Sequence, residues 1–293
     1  MKWFKTILIL SLPLLLCCCL HDNGGSCPSD RNHLLLFNYP DFQSRISCVN
    51  LGVFDSLGVC VESRCVEKEE LMSLQGIGLS LAEGDYTVVC WGNVLENTVL
   101  SGFSVGCFFE EVEVCHPNLN TDLPIPTTDP LYYGTQTFTV DYSAVQPDTV
   151  FFRPAHIGLD IHVRGIDAPQ LREAASFPLI GISHTRTSFG YAMQCLGKFA
   201  DYYPPVVFEP INKMAHTSLN VLRFSEADDL EVVLYDTHTG KSRFSVSLSS
   251  FVRKHGIEIT EDNEVLVPIY LEIVNTTVRV TVEPWKETPV DQS

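Results

Sequence analysis

A chain of 293 residues has room for two domains of ordinary size once an N-terminal leader is removed. Its 45% hydrophobic and 19% charged residues supply a core and exclude global disorder. The net charge of −17 excludes nucleic acid and anionic membrane surfaces as partners for the body of the protein.

The opening residues have the pattern of an export signal. Lys2 and Lys5 precede an apolar run over residues 7–16, broken only by Ser11 and Pro13. That run is too short to span a bilayer, which takes about 20 residues, and no later stretch is long and apolar enough to do so. Where a small-residue cleavage site would stand, the chain has Cys17, Cys18 and Cys19. Thiols at this place point to lipoprotein processing, in which a cysteine sulfur is alkylated with diacylglycerol and the peptide is cut just before it. Cys19, and after it Cys18, fit the acceptor because each follows a small residue, whereas Cys17 follows Leu16. Residues 1–18 are then a signal peptide, and the polar residues 19–32 a tether. Of the later cysteines, Cys48 and Cys90 sit in apolar strands and read as small buried hydrophobes. The even count permits disulfides, but the spacings do not form a framework, and the absence of a CxxC pair after the signal argues against zinc.

From residue 33 the pattern is strand after strand. Residues 33–39 form the first, and residues 45–54 and 59–62 form a hairpin about the turn Asp55-Ser56-Leu57-Gly58. Residues 67–74 read as a short helix and 77–81 as a strand. Residues 86–92 are apolar on both faces, with Tyr86, Val88 and Cys90 on one and Val89 and Trp91 on the other, as expected of a strand covered on both sides. Leu81-Ala82-Glu83-Gly84-Asp85-Tyr86 is similar to a tyrosine corner, where a Tyr hydroxyl ties down a loop. The acidic residues Glu110, Glu111 and Glu113 read as a solvated sheet edge, and residues 118–130, rich in Pro and Thr, as a surface loop. Strands over 132–142 and from 149, then 156–164, 177–183, 218–224, 230–235 and 242–248, lead to a helical turn at 249–254 and two last strands within 264–282. The break at Gln146-Pro147-Asp148 divides a unit over 33–145 from one over 146–293.

Catalytic patterns are weak. Gly181-Ile182-Ser183-His184 begins like a nucleophile elbow but lacks its second Gly and follows no α/β pattern. His156, Asp160 and His162 share one face of a strand, a set able to hold a metal; a solvated polar face explains them more simply, and no metal or cofactor is expected. Trp91 reads as core and Trp285 as a cap on the second core. Asp55-Ser56-Leu57 and Asp148-Thr149-Val150 fit an Asp-Ser/Thr-apolar pattern for O-glycosylation at turns or linkers, and Asn275-Thr276-Thr277 reads as a strand turn.

These residues together resemble the FimB/Mfa2 family of fimbrial anchor lipoproteins from Bacteroides and Porphyromonas relatives. The resemblance rests on Cys19-Leu20-His21-Asp22, Cys27-Pro28, residues 34–39 and 45–55, the segment LAEGDYTVVCWGN at 81–93, DPLYYG at 129–134 and the ending VRVTVEPW at 278–285. It implies an all-β fold of two transthyretin-like (immunoglobulin-like) β-sandwich domains in tandem, lipid attachment to the cell outer membrane with the body exposed at the surface, and a place at the base of a fimbria, where the chain would contact the first fimbrial shaft subunit. It implies no catalytic residues. A tip adhesin of the same superfamily and a surface glycan-binding lipoprotein are the alternatives.

Overall fold

The computed structural model describes residues 31–141, 147–166, 178–197, 199–209, 211, 213–225, 227–274 and 277–283. The fold is all-β, and its helices among the described residues are short. In the first half the strands are β1 (His33–Asn38), β2 (Val49–Asp55), β3 (Cys60–Val66), β4 (Gly76–Leu79), β5 (Gly84–Gly92), β6 (Val99–Ser101), β7 (Glu113–Cys115), β8 (Tyr132–Val140) and β9 (Pro147–Pro154). Seven of them make one sheet in the order β3-β2-β5-β8-β9-β1-β4. Its pairings are antiparallel except β1 with β9, which is parallel.

The β2–β3 turn is set by Asp55, whose carboxylate accepts hydrogen bonds from the backbone N–H of Leu57 and Val59 at 2.9 and 3.0 Å. Gly58 closes the turn at φ 76°, where a Cβ would also run into the Phe109 ring. The helix Lys68–Ser73 links β3 to β4 and buries Leu71. Val66 from one end of the sheet and Ile77 and Leu79 from the other lie in the same core as Leu51 and Val88, so the sheet curls over and encloses its own interior. Burying each such aliphatic side chain contributes about 1.5–3 kcal/mol.

The second half contributes β10 (His156–Arg164), β11 (Ile180–Thr185), β12 (Ser188–Gly190), β13 (Cys195–Leu196), β14 (Ala200–Tyr202), β15 (Val207–Glu209), β16 (Met214–Leu222), β17 (Glu231–Tyr235), β18 (Ser242–Ser247), β19 (Leu266–Val274) and β20 (Thr277–Thr281). A five-stranded sheet, β15-β16-β10-β19-β20, faces a four-stranded sheet, β14-β11-β17-β18. Leu159, Ile161, Val221 and Ile269 from the first meet Ile182, Tyr202, Val232 and Leu234 from the second in a common core. The helix Leu248–Lys254 starts at Ser247, whose hydroxyl accepts from Ser250 N–H, and ends on Arg253 and Lys254; it buries Leu248, Phe251 and Val252 in that core.

A further four-stranded sheet, β13-β12-β7-β6, draws strands from both halves, with Phe189 of β12 opposite Val114 of β7. Under it lies a third core of Phe54, Val89, Trp91, Val114, Tyr133, Phe189 and Leu222. This core covers the second face of β5, as the apolar pattern of residues 86–92 requires.

Four expectations are corrected. The strand from 149, expected to open the second unit, is β9 and pairs with β8 and β1 in the sheet of the first. Glu113 is not at an edge, because β7 pairs on both sides, with β6 and β12. Residues 118–130 do not form a free surface loop. Ile125 is buried in the second core, its carbonyl accepts from Tyr203 N–H at 2.7 Å, and Thr128 N–H donates to Asn220 O at 2.9 Å. Arg45 belongs to a one-turn helix, Phe42–Arg45, rather than to the strand that follows it.

Candidate functional site

Cys18, Cys19 and Trp285 lie outside the described residues. Tyr86 lies on β5, 8% exposed, with its hydroxyl donating to Ala82 O at 3.0 Å and its ring stacked on Phe138 at 5.8 Å. Trp91 is fully buried between Tyr133 and Phe189, with centroids 5.1 and 6.2 Å away. Its position is that of a core residue, unable to serve as a surface platform. Ser183 and His184 lie on β11, where an irregularity between Ile182 and Thr185 interrupts pairing with β14 and His184 takes φ 57°.

A polar network joins the two halves. The Glu264 carboxylate, just ahead of β19, accepts hydrogen bonds from the hydroxyls of Tyr39 at 2.9 Å and Tyr132 at 2.6 Å, and stands 3.6 Å from Nε2 of His156. His156, the first residue of β10, has Nδ1 2.9 Å from Leu131 O. Burial raises both tyrosine pKa values, and the hydrogen bond to Glu264 adds to the shift, so both phenols stay neutral. Burial lowers the His156 pKa and outweighs the Leu131 hydrogen bond and the Glu264 charge. Arg223, at the end of β16, donates to Thr260 O, to Asn263 O at 3.1 Å and to Asn263 Oδ1 at 2.9 Å, while Arg153 pairs with Glu261. Tyr39, Tyr132, His156 and Glu264 thus tie the start, middle and end of the chain to one carboxylate.

The strand face predicted to carry His156, Asp160 and His162 is divided in the structure. His156 belongs to the network above. Asp160 and His162 are joined instead by His216, which lies opposite His162 in the β10–β16 register. Asp160 Oδ2 is 3.1 Å from His162 Nε2, and Asp160 Oδ1 is 2.7 Å from His216 Nε2 and accepts from Ser218 Oγ at 2.7 Å. Burial alone would raise the Asp160 pKa; the hydrogen bonds from His216, Ser218 and His162 together outweigh it and hold the carboxyl below its ordinary value. The sequence hides His216 because a cross-strand neighbour is set by pairing register, which no local pattern reports.

The seven described cysteines are free thiols, with Cys48 and Cys90 buried. The Cys65 thiol is pushed up to about 12 by burial and by the Glu67 carboxylate beside it, which makes it a poor nucleophile. At β3 the sheet edge is partly covered, because Cys60 N–H donates to Cys107 O and Gly106 N–H to Cys60 O, both at 2.8 Å. In the second half β15 and β20 end one sheet and β14 and β18 the other, with β14 bridged at Tyr202 by Ile125.

No curated protein matches the chain in sequence. Among solved structures, a candidate adhesin from Bacteroides ovatus superposes with a TM-score of 0.70 at 16% identity, covering 86% of this chain and 94% of that one. A candidate polysaccharide-binding protein from Bacteroides thetaiotaomicron gives 0.69 at 15%, covering 87% and 98%. The fimbrial anchor protein Mfa2 from Porphyromonas gingivalis gives 0.63 at 15%, covering 85% and 94%. At these identities the likeness is one of fold. The sequence itself decides membership: the profile of the fimbrillin-A associated anchor proteins Mfa1 and Mfa2 matches residues 25–291, nearly all of the chain, and the chain belongs to that family.

Proposed function

We propose that this chain is a non-catalytic outer-membrane lipoprotein that holds the base of a fimbria through contact with the first shaft subunit. The observation that carries the reading is the anchor-family match over residues 25–291, which begins just after the cysteine run at 17–19. Acylation falls on Cys19, with Cys18 as the alternative acceptor, and residues 20–32 tether the body. The shaft subunit adds a strand to an open sheet edge, of which β15, β18 and β20 are the candidates. Backbone hydrogen bonding of this kind gives affinity independent of side-chain sequence.

The test is the replacement of Cys18 and Cys19 by Ala. A single acyl chain holds a protein to a bilayer only marginally and two or more hold it firmly, so the effect is large. Fimbriae should still assemble and should be lost to the medium, as counted by electron microscopy on cells and in supernatant once export is confirmed. Unchanged numbers of cell-bound fimbriae would mean that another protein anchors the base or that this one sits elsewhere, such as at the tip.

One observation favours a glycan-binding alternative. Tyr203 and Tyr235 line an open cleft with Pro124, Pro178 and Gly240, their rings tilted at 6.3 Å. Saccharide binding by the purified protein that disappears in Tyr203→Ala and Tyr235→Ala would support that role.

A further inference from the structure

We propose that Asp160, His162 and His216 form a binding site for one divalent transition-metal cation, with zinc the best fit and a coordination position left open to solvent. One ring nitrogen of each imidazole and one oxygen of Asp160 lie within 4.8 Å of one another. Zinc bound at about 2.0–2.2 Å by nitrogen and oxygen sets its ligands about 3.3 Å apart in a tetrahedron, a spacing within the range these atoms already span.

The backbone beneath is well fixed. β10 lies at the centre of its sheet, between β16 and β19, and the alternate residues Leu159, Ile161 and Val163 are fully buried on the opposite face. The side chains are oriented from outside the triad. The Tyr270 ring stacks on His162 at 4.6 Å and 9°, and the Ser218 hydroxyl donates to Asp160. Outer partners of this kind hold ligands in their binding rotamers. A plain solvated face would fan its polar groups into water. Here two imidazoles stack at 4.3 Å and turn the same nitrogen toward a single carboxylate.

The donor set selects the cation. Two imidazoles and one carboxylate suit zinc, copper or nickel, whereas calcium and magnesium take all-oxygen shells. The side chains are 20% exposed at His162, 25% at Asp160 and 36% at His216, so water reaches the fourth position. The protein's net charge of −17 draws cations to it.

Calorimetric titration of the purified full chain with zinc chloride should give one site per molecule. His162→Ala and His216→Ala should each weaken it by at least roughly 100-fold, the upper end of what losing an outer partner costs, and Ser218→Ala by roughly 10-fold. His238→Ala, on the exposed β17–β18 turn, should leave it unchanged. Because the described cysteines are free, cobalt(II) serves as a second probe: its spectrum should carry nitrogen and oxygen ligation and no sulfur-to-metal charge-transfer band. Melting curves without metal should confirm that the variants fold, since the replaced side chains lie on the outer face. Failure to bind zinc below about 1 mM, the same affinity in the His162→Ala/His216→Ala double variant, or a thiolate band with cobalt would each overturn the assignment.

Discussion

Replacement of Glu264 by Ala should loosen the whole molecule. The carboxylate accepts from Tyr39 at 2.9 Å and from Tyr132 at 2.6 Å, contacts that span 225 and 132 positions of sequence. A hydrogen bond to a charged group contributes about 1.5–3 kcal/mol. The Glu264 side chain is 31% exposed, so water replaces part of what is lost and the low end applies to each bond. The expected loss is about 2–4 kcal/mol, a large share of the stability of an ordinary domain. Glu264→Gln keeps an acceptor and should lose about half as much. Urea unfolding gives both values, and a double-mutant cycle with Tyr132→Phe should show a coupling of about 1 kcal/mol or more. A loss below about 0.5 kcal/mol for Glu264→Ala, or simple additivity with Tyr132→Phe, would refute the idea that one carboxylate fastens the two halves.

Tyr86→Phe should cost about 1 kcal/mol for the hydrogen bond to Ala82, and Tyr86→Ala about 2–4 kcal/mol; thermal melts with no shift would mean that this side chain ties nothing down. Acid should destabilise the protein through its buried imidazoles. Burial lowers the pKa values of His33, His116 and His156 below 6.5, outweighing the neighbouring carboxylates. The unfolded chain therefore takes up protons first, so the stability these groups give is complete above the unfolded value and falls as pH drops through 6.5 toward their folded values. A urea midpoint at about pH 5.5 equal to or above that at about pH 8 would contradict this. Where an O-glycan is added, intact mass should place it on Ser56, in the exposed β2–β3 turn, and not on Thr149, which is paired with Leu36 in the parallel β1–β9 ladder. Sugar that survives Ser56→Ala and vanishes in Thr149→Ala would reverse that assignment.

The strands that could be read from the sequence are those whose side-chain pattern matches their burial. Residues 156–164 alternate, and β10 has those bounds with Ile157, Leu159, Ile161 and Val163 buried. The two-faced pattern of 86–92 announces the two cores on either side of β5 before any partner is known. The short strands β6, β7, β12 and β13 escape notice because two or three residues carry no period. β9 reads as a strand from its sequence, but its pairing with β8 and β1 does not, since local pattern says nothing of which sheet a strand joins. The candidate metal site was half visible for the same reason. Asp160 and His162 share a strand face, while His216 enters only through the β10–β16 pairing. Glu264 gave no sign at all: an acid in a connecting segment looks solvated until Tyr39 and Tyr132 are folded against it.

The shared sheet also bears on how the molecule can be made. A ribosome delivers the chain from its N-terminus, so β5 and the Trp91 indole emerge long before residues 188–190. Until β12 arrives to pair with β7 and set Phe189 against Trp91, one face of the first sheet has an incomplete cover. The first half is therefore poorly suited to finish folding as a free-standing intermediate, and a nascent chain stalled at residue 145 would also lack β9, the link between β8 and β1. Late closure of this kind lengthens the exposure of sticky surface and makes a holding chaperone useful during biogenesis. It also makes the mature protein hard to unzip from either end, because pulling on one half has to break strands belonging to the other.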